Sequence, residues 1–187
     1  MASENENSEF GYELKIPKDR VAVLIGKKGE TKKHIETVTK TNIDVDSKEG
    51  EVSIKGKDAL SMYTAKEIVR AIGRGFNPEI AQLLLKQDYS FELLNLADFA
   101  RSKNDEKRLK GRVIGEKGKS RNTIEELTGA SISVYGKTIA IIGEINAVAL
   151  ARRAVESLLS GSPHANVYKW LEKQRRNLKR KELMEPF

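Results

Sequence analysis

Two short segments of this chain repeat each other: Ile25-Gly26-Lys27-Lys28-Gly29 and Ile114-Gly115-Glu116-Lys117-Gly118. They lie 89 residues apart, and at that spacing Ile35-Glu36 meets Ile124-Glu125, Thr39 meets Thr128, Ile43 meets Ile132 and Val45 meets Val134. Gly56 corresponds to Gly143, so the segment between is two residues shorter in the second copy. Self-similarity at a fixed spacing marks a duplicated structural unit. A chain of 187 residues then holds two units of roughly 75 to 85 residues each, large enough for a thin core apiece.

Charge is distributed unevenly over this frame. Residues 18–33 carry a net +4, residues 107–121 +6 and residues 169–187 +4, which leaves −7 for the rest of a chain whose net charge is +7. Two of the three basic segments contain the repeated glycine loop, and positive charge gathered on a few elements of an otherwise acidic chain marks a polyanion-binding surface. There is no cysteine, which excludes a disulfide framework and any thiolate site. Residues 1–10 are polar and acidic, unlike a secretion signal, and no apolar run reaches membrane-spanning length.

The pattern along the chain predicts the same order of elements twice. In the first unit, residues 12–16 alternate as a strand and residues 18–24 form a short helix before the loop. A helix over 30–40, a hairpin with strands at 42–46 and 52–55, and a long helix capped by Asp58 follow. In the second, the strand spans 89–96, residues 102–107 loop out and a short helix covers 108–114. A helix at 120–127, a hairpin turning at Gly136-Lys137 and a helix at 146–159 complete it. The expected organisation is a disordered tail at 1–10, units at 11–75 and 89–162, a helical connector at 76–88 and a basic C-terminal helix at 163–187. Ile80, Leu83 and Leu84 make that connector too apolar for a free linker.

Val23-Leu24-Ile25-Gly26-Lys27-Lys28-Gly29 and Arg112-Val113-Ile114-Gly115-Glu116-Lys117-Gly118 resemble the signature of the KH domain, an RNA-binding module. The resemblance covers about residues 12–160 and implies an α+β fold: two eukaryotic-type (type I) KH domains, each a three-stranded antiparallel sheet covered on one face by three helices. Glycines lacking Cβ admit a sugar–phosphate backbone, and a helix that starts at the loop offers free N–H groups and a positive dipole end to phosphate. In such domains the loop clamps about four nucleotides of single strand, while a neighbouring apolar groove receives the bases.

The resemblance and the basic segments together mark the RNA-binding residues. In the first copy these are Ile25, Gly26, Lys27, Lys28, Gly29, Lys32, Lys33, Ile43 and Val45. In the second they are Lys110, Arg112, Ile114, Gly115, Glu116, Lys117, Gly118, Lys119, Arg121, Ile132 and Val134. Ile25, Ile43, Val45, Ile114, Ile132 and Val134 would line the grooves. Lys32 and Arg121 stand where KH domains usually place an apolar residue, three positions after the second glycine. Both copies depart in the same direction, which predicts an added phosphate contact.

That departure, with Gly73-Arg74-Gly75-Phe76-Asn77-Pro78-Glu79 and Ser160-Gly161-Ser162-Pro163, is similar to KH proteins of small-subunit ribosome assembly, in particular the archaeal and eukaryotic "partner of Nob" family. The resemblance implies a non-catalytic, cytoplasmic factor bound to single-stranded RNA at the 3′ end of small-subunit rRNA. It implies two protein partners, a PIN-domain rRNA endonuclease and an initiation factor subunit. In eukaryotic members the first loop is degenerate; both are intact here, and the second is expected to dominate. The alternative is a scaffold whose units mainly recruit the nuclease or the initiation factor.

Enzyme readings find no support in the residues. Gly115-Glu116-Lys117-Gly118-Lys119-Ser120 ends like a nucleotide-binding P-loop, but that motif needs glycine at position 113, which is Val. The histidines, His34 and His164, are far apart with no cysteine beside them, so neither a metal nor another cofactor is expected. Tyr168 and Trp170 fit packing on an amphipathic helix better than base stacking. The last helix, beyond the break at Gly161-Ser162-Pro163, is expected to serve affinity or partner choice and not folding.

Overall fold

Strand β1 (Phe10–Lys15) pairs antiparallel with β3 (Glu51–Gly56), and β3 pairs antiparallel with β2 (Asn42–Asp46), giving the order β1-β3-β2. The register sets Tyr12 and Ile43 on either side of Ile54, and Leu14 and Val45 on either side of Val52. Alternation therefore sends these apolar residues to one face of the sheet. That face meets α1 (Lys18–Ile25), α2 (Glu30–Thr39) and α3 (Ala59–Gly73), whose buried Leu24, Ile35, Met62, Ile68 and Ile72 complete the core. Asp58 caps α3 by accepting from Ser61 N–H at 2.8 Å, and hydrogen bonding by the Ser61 side chain, then by its N–H, holds the Asp58 carboxyl below the ordinary carboxylate range. The short helix α4 (Pro78–Ala81) and the 3-10 turn Gln82–Leu85 pack on α3.

The computed structural model describes residues 10–184; the tail expected at 1–10 lies outside them apart from Phe10. The chain divides between Gln87 and Asp88 into two compact units. The segment read as a connector thus belongs to the first unit, with Phe76 and Ala81 buried.

The second unit repeats the plan with β4 (Tyr89–Asn95), β5 (Ser131–Tyr135) and β6 (Thr138–Glu144) in the order β4-β6-β5. Its helices are α5 (Lys103–Ile114), α6 (Lys119–Thr128) and α7 (Ile145–Leu159). Both units are thus three-stranded antiparallel sheets with three helices on one face, as the α+β reading expects.

Two expectations need correction. The loop read at 102–107 is helical from Lys103. Ser102 Oγ accepts from Asp105 N–H at 3.2 Å, Asp105 Oδ2 reaches back to Arg101 N–H at 3.1 Å, and Asp105 Oδ1 accepts from Arg108 at 2.6 Å. A reciprocal cap of this kind starts a helix without any apolar residue to announce it.

The second correction concerns the last helix, α8 (His164–Met184). It packs on α6 and α7, with Val167 and Leu171 only 4% and 1% exposed inside the second unit's core. Tyr168 and Trp170 lie half-buried against that core, and the Arg153 guanidinium sits 5.0 Å from the Trp170 ring centre. The first half of α8 is therefore part of the fold, and residues 172–180 carry exposed basic side chains. Among the described residues no helix is long and apolar enough to cross a membrane. Leu171→Ala is expected to cost the second unit about 2–4 kcal/mol, read as a lowered denaturation midpoint. Arg175→Ala and Arg176→Ala, on the exposed half, are expected to change stability by less than about 0.5 kcal/mol.

Candidate nucleic-acid interface

The repeated loops adopt one backbone conformation. Gly26 and Gly115 have φ/ψ of 74/177° and 73/176°, Lys28 and Lys117 of 53/24° and 51/29°, Gly29 and Gly118 of 80/11° and 82/5°. Each loop closes through two backbone bonds, Gly29 N–H to Gly26 O at 3.2 Å and Glu30 N–H to Lys27 O in the first, Gly118 N–H to Gly115 O at 3.3 Å and Lys119 N–H to Glu116 O in the second. The two glycines of each loop serve different ends. A Cβ on Gly115 would lie 2.6 Å from Ser120 N and Cβ, and one on Gly26 would strike the Thr31 side chain. The first glycine thus lets α6 or α2 start directly against the preceding helix. The second meets nothing nearer than 3.8 Å and is required by its left-handed φ, which leaves open space on its outer side.

No side chain caps α2 or α6 at its loop end; Glu30 N–H and Lys119 N–H are taken by Lys27 O and Glu116 O, and the rest of each first turn has no side-chain cap. Around them Lys27, Lys28, Lys33, Glu116, Lys117 and Lys119 are exposed and Lys110 is half-exposed. A depression of about 520 Å³ beside the second loop is lined by Glu116, Lys117, Lys119, Asn122, Thr123 and Glu126. A positive helix end with ammonium groups over glycines favours a phosphodiester backbone.

The edge strands β2 and β5 pack beside α2 and α6, where the sequence places the grooves. Ile25, Val45, Ile114 and Val134 are half-buried and keep apolar surface exposed. Ile43 and Ile132 do not: at 0% and 4% exposure they belong to the core and support the groove from beneath. Their backbones carry the polar contact, since Ile43 N–H donates to Glu36 Oε1 at 2.8 Å and Ile132 N–H to Glu125 Oε1 at 2.6 Å. Glu36 and Glu125 thus tie the helix to the strand edge in both copies. Their repetition at the 89-residue spacing was the only trace of this role in the sequence.

The same glutamates revise the reading of Lys32 and Arg121. Lys32 Nζ is 3.4 Å from Glu36 Oε1, and Arg121 Nε is 3.7 Å from Glu125 Oε2. Each cation is held i,i+4 along its helix by the glutamate that binds the strand edge; Arg121 Nη2 still lies beside the loop, 4.0 Å from where a Cβ on Gly118 would stand.

Arg112 is likewise a structural residue. Its Nε and Nη2 donate to Leu158 O at 2.9 Å and Ser162 O at 2.6 Å, closing the C-terminal end of α7. Arg20 does the same for α3, donating to Ile72 O at 2.8 Å and Phe76 O at 2.6 Å. With its guanidinium so committed, Arg112 is withdrawn from the RNA-binding set. His164 Nε2 lies 2.7 Å from Arg112 O, which ties the start of α8 to the same corner.

Comparison with known proteins agrees with this geometry. The family model described as "Eukaryotic type KH-domain (KH-domain type I)" matches residues 90–176, and that for "KH domain" matches residues 11–71. The first match runs into α8, in keeping with its buried half. KH domain-containing protein MJ0443 of Methanocaldococcus jannaschii is 54% identical over 171 residues, 89% of this chain and 75% of that protein. RNA-binding protein pno1 of Dictyostelium discoideum is 29% identical over 90% of this chain and 73% of that protein. A chain in the crystal structure of the a/eIF2alpha-aDim2p-rRNA complex from Pyrococcus horikoshii OT3 is 49% identical with a TM-score of 0.85, covering 91% of this chain and 96% of that one.

The two glycines predict separable effects. Gly118→Ala adds only left-handed strain and is expected to cost about 1–2 kcal/mol. Gly115→Ala adds overlap with the α6 backbone to a φ/ψ that only glycine adopts freely, for about 3 kcal/mol or more. Denaturant titration of the two variants checks the order.

Proposed function

We propose that this chain, which belongs to the PNO1- and Dim2p-like family of tandem KH proteins, binds single-stranded RNA through its two glycine loops. We propose further that its RNA is the 3′ end of precursor small-subunit rRNA, where it acts in the cytoplasm as a non-catalytic ribosome-assembly factor. The observation that carries the reading is the pair of loops, matched to within a few degrees, each opening an uncapped helix among lysines beside a groove with half-exposed apolar walls. Phosphate sits on the loop, bases enter the groove, and paired bases are too wide for it.

The rRNA and the a/eIF2alpha in the complex of the Pyrococcus relative support rRNA as ligand and an initiation factor α subunit as protein partner. In this reading the protein positions RNA, and phosphodiester cleavage belongs to a recruited PIN-domain rRNA endonuclease. The exposed basic half of α8 favours a second, scaffold role, which is recognised by partner binding that survives removal of RNA.

RNA binding is expected to depend steeply on salt. With roughly four to six phosphate contacts, log affinity falls against log salt with a slope of about −3 to −4 for a single strand. A slope near zero in titrations of a 3′-end rRNA fragment would remove the polyanion argument.

Replacing Glu116 and Lys117 together by Asp is expected to leave circular dichroism unchanged, because both side chains are exposed and Asp tolerates the left-handed φ at 117. A hydrogen bond to a charged group is worth about 1.5–3 kcal/mol, so affinity for the same fragment falls roughly ten- to a hundredfold. The matching K27D/K28D change is expected to cost less. Loss confined to K27D/K28D would make the first loop the dominant site; normal binding by both variants would leave the scaffold role.

A further inference from the structure

In the first unit a lysine ties the end strand of the sheet to the long helix. Lys66 Nζ lies 4.7 Å from the centre of the Tyr12 ring on β1 and 5.9 Å from that of Tyr63 on α3. The second unit makes the same tie with other chemistry. Tyr12 pairs with Ile54, which also pairs with Ile43; Glu92 pairs with Ile141, which also pairs with Ile132, so Glu92 stands where the first unit has Tyr12. Both long helices have 15 residues, and Arg152 holds in α7 the position of Lys66 in α3. Arg152 donates to Glu92 at 2.7 Å and to Glu156 at 2.9 Å. Among the described residues Lys66 has no carboxylate partner. Beside it Leu60 and Tyr63, one turn apart on α3, are 71% and 52% exposed. At those positions α7 has Asn146 and Ala149, so neither the helix nor its packing on the sheet requires them. Among the described residues β1 pairs with β3 alone, and alternate N–H and C=O groups along such a strand point away from the sheet.

We propose that this flank of the first unit is a docking site for an extended segment of a partner protein, which adds as a strand to the free edge of β1. In this mode the backbone supplies the pairing, and contacts to alternate side chains supply the selectivity. One aliphatic or aromatic side chain of the segment rests on Leu60 and Tyr63. A carboxylate two residues along, on the same face of the added strand, meets Lys66. The duplicate fixes the sign of that charge: the matching cation holds two carboxylates in the second unit and none in the first, which leaves Lys66 to an acidic side chain from outside. RNA also carries anions, but only a peptide satisfies both the lysine and an open strand edge in regular register. The site uses no residue of the glycine loops, so a protein segment and RNA can be held together.

The test selects random displayed heptapeptides on the full chain and counter-selects them on the full chain carrying L60N/Y63A, which installs the residues of the second unit. Retained sequences are expected to place an aliphatic or aromatic residue and Asp or Glu two positions apart. A synthetic peptide of the retained sequence is expected to bind the parent at least about tenfold tighter than L60N/Y63A. The thermal midpoint of L60N/Y63A and its affinity for the 3′-end rRNA fragment are expected to match the parent's. Lys66→Glu is expected to invert the preference, binding the peptide better once its acid is replaced by Lys. N-methylation of alternate peptide amides, which removes pairing donors and keeps the side chains, is expected to abolish binding to the parent. No sequence left after counter-selection, or binding that survives N-methylation or L60N/Y63A, overturns the proposal. Self-association of the parent that L60N/Y63A abolishes also overturns it and makes a second copy the occupant. Loss of rRNA affinity in L60N/Y63A overturns it in favour of a base-stacking platform. If the parent binds no RNA, the RNA-binding reading fails and the docking site stands or falls on the peptide alone.

Discussion

A steric constraint at one atom organises each half of this protein. The first glycine of the loop has no room for a Cβ, because the following helix starts where that carbon would be. Two helices can therefore meet at a sharp corner with almost no chain between them. The same corner leaves the start of the second helix without a side-chain cap. On the proposed RNA-binding reading, packing and phosphate contact come from a single backbone geometry: the closeness that builds the core also leaves the positive end of the helix without a side-chain cap.

The far end of the long helix shows the duplication solving one problem with different residues. Both units bind the carbonyl oxygen of the next-to-last helical residue and the one four positions later with an arginine fork. Yet Arg20 precedes its loop glycine by six positions and Arg112 by three, so the two arginines do not correspond in sequence. They stand one turn apart on the same face of α1 and α5, which is why either can reach. Position 112 in the sequence looks like part of the glycine signature and its basic run. Only the pairing of Arg112 with oxygens 46 and 50 residues away reveals its role.

What could be read from the sequence follows the same division between local and distant causes. The loops, the hairpins, the Asp58 cap and the order of elements along the chain were legible because glycine pairs, alternation and capping residues act within a few positions. The early start of α5 was missed because a cap made of Ser102 and Asp105 carries no hydrophobic signal. The role of α8 was missed for another reason: Val167 and Leu171 are sparse on a highly charged helix, and what decides their burial is the neighbouring surface of α6 and α7. Ile43 and Ile132 were legible as apolar and repeated, but periodicity does not separate a groove wall from the core behind it.

Lysine at the third loop position can be weighed by a comparison internal to the chain. A left-handed residue with a Cβ costs roughly 1–2 kcal/mol relative to an ordinary conformation. The chain meets that cost at Lys28, Lys40 and Lys117, with φ of 53°, 52° and 51°. Lys40 ends α2, and its counterpart at the end of α6 is Gly129, which adopts the same region freely. At a helix end, where only geometry is at stake, one copy has relieved the strain. In the loops glycine would relieve it equally well, and both copies hold lysine. On the proposed RNA-binding reading, strain kept twice at an exposed loop position is offset by an ammonium that meets a phosphate.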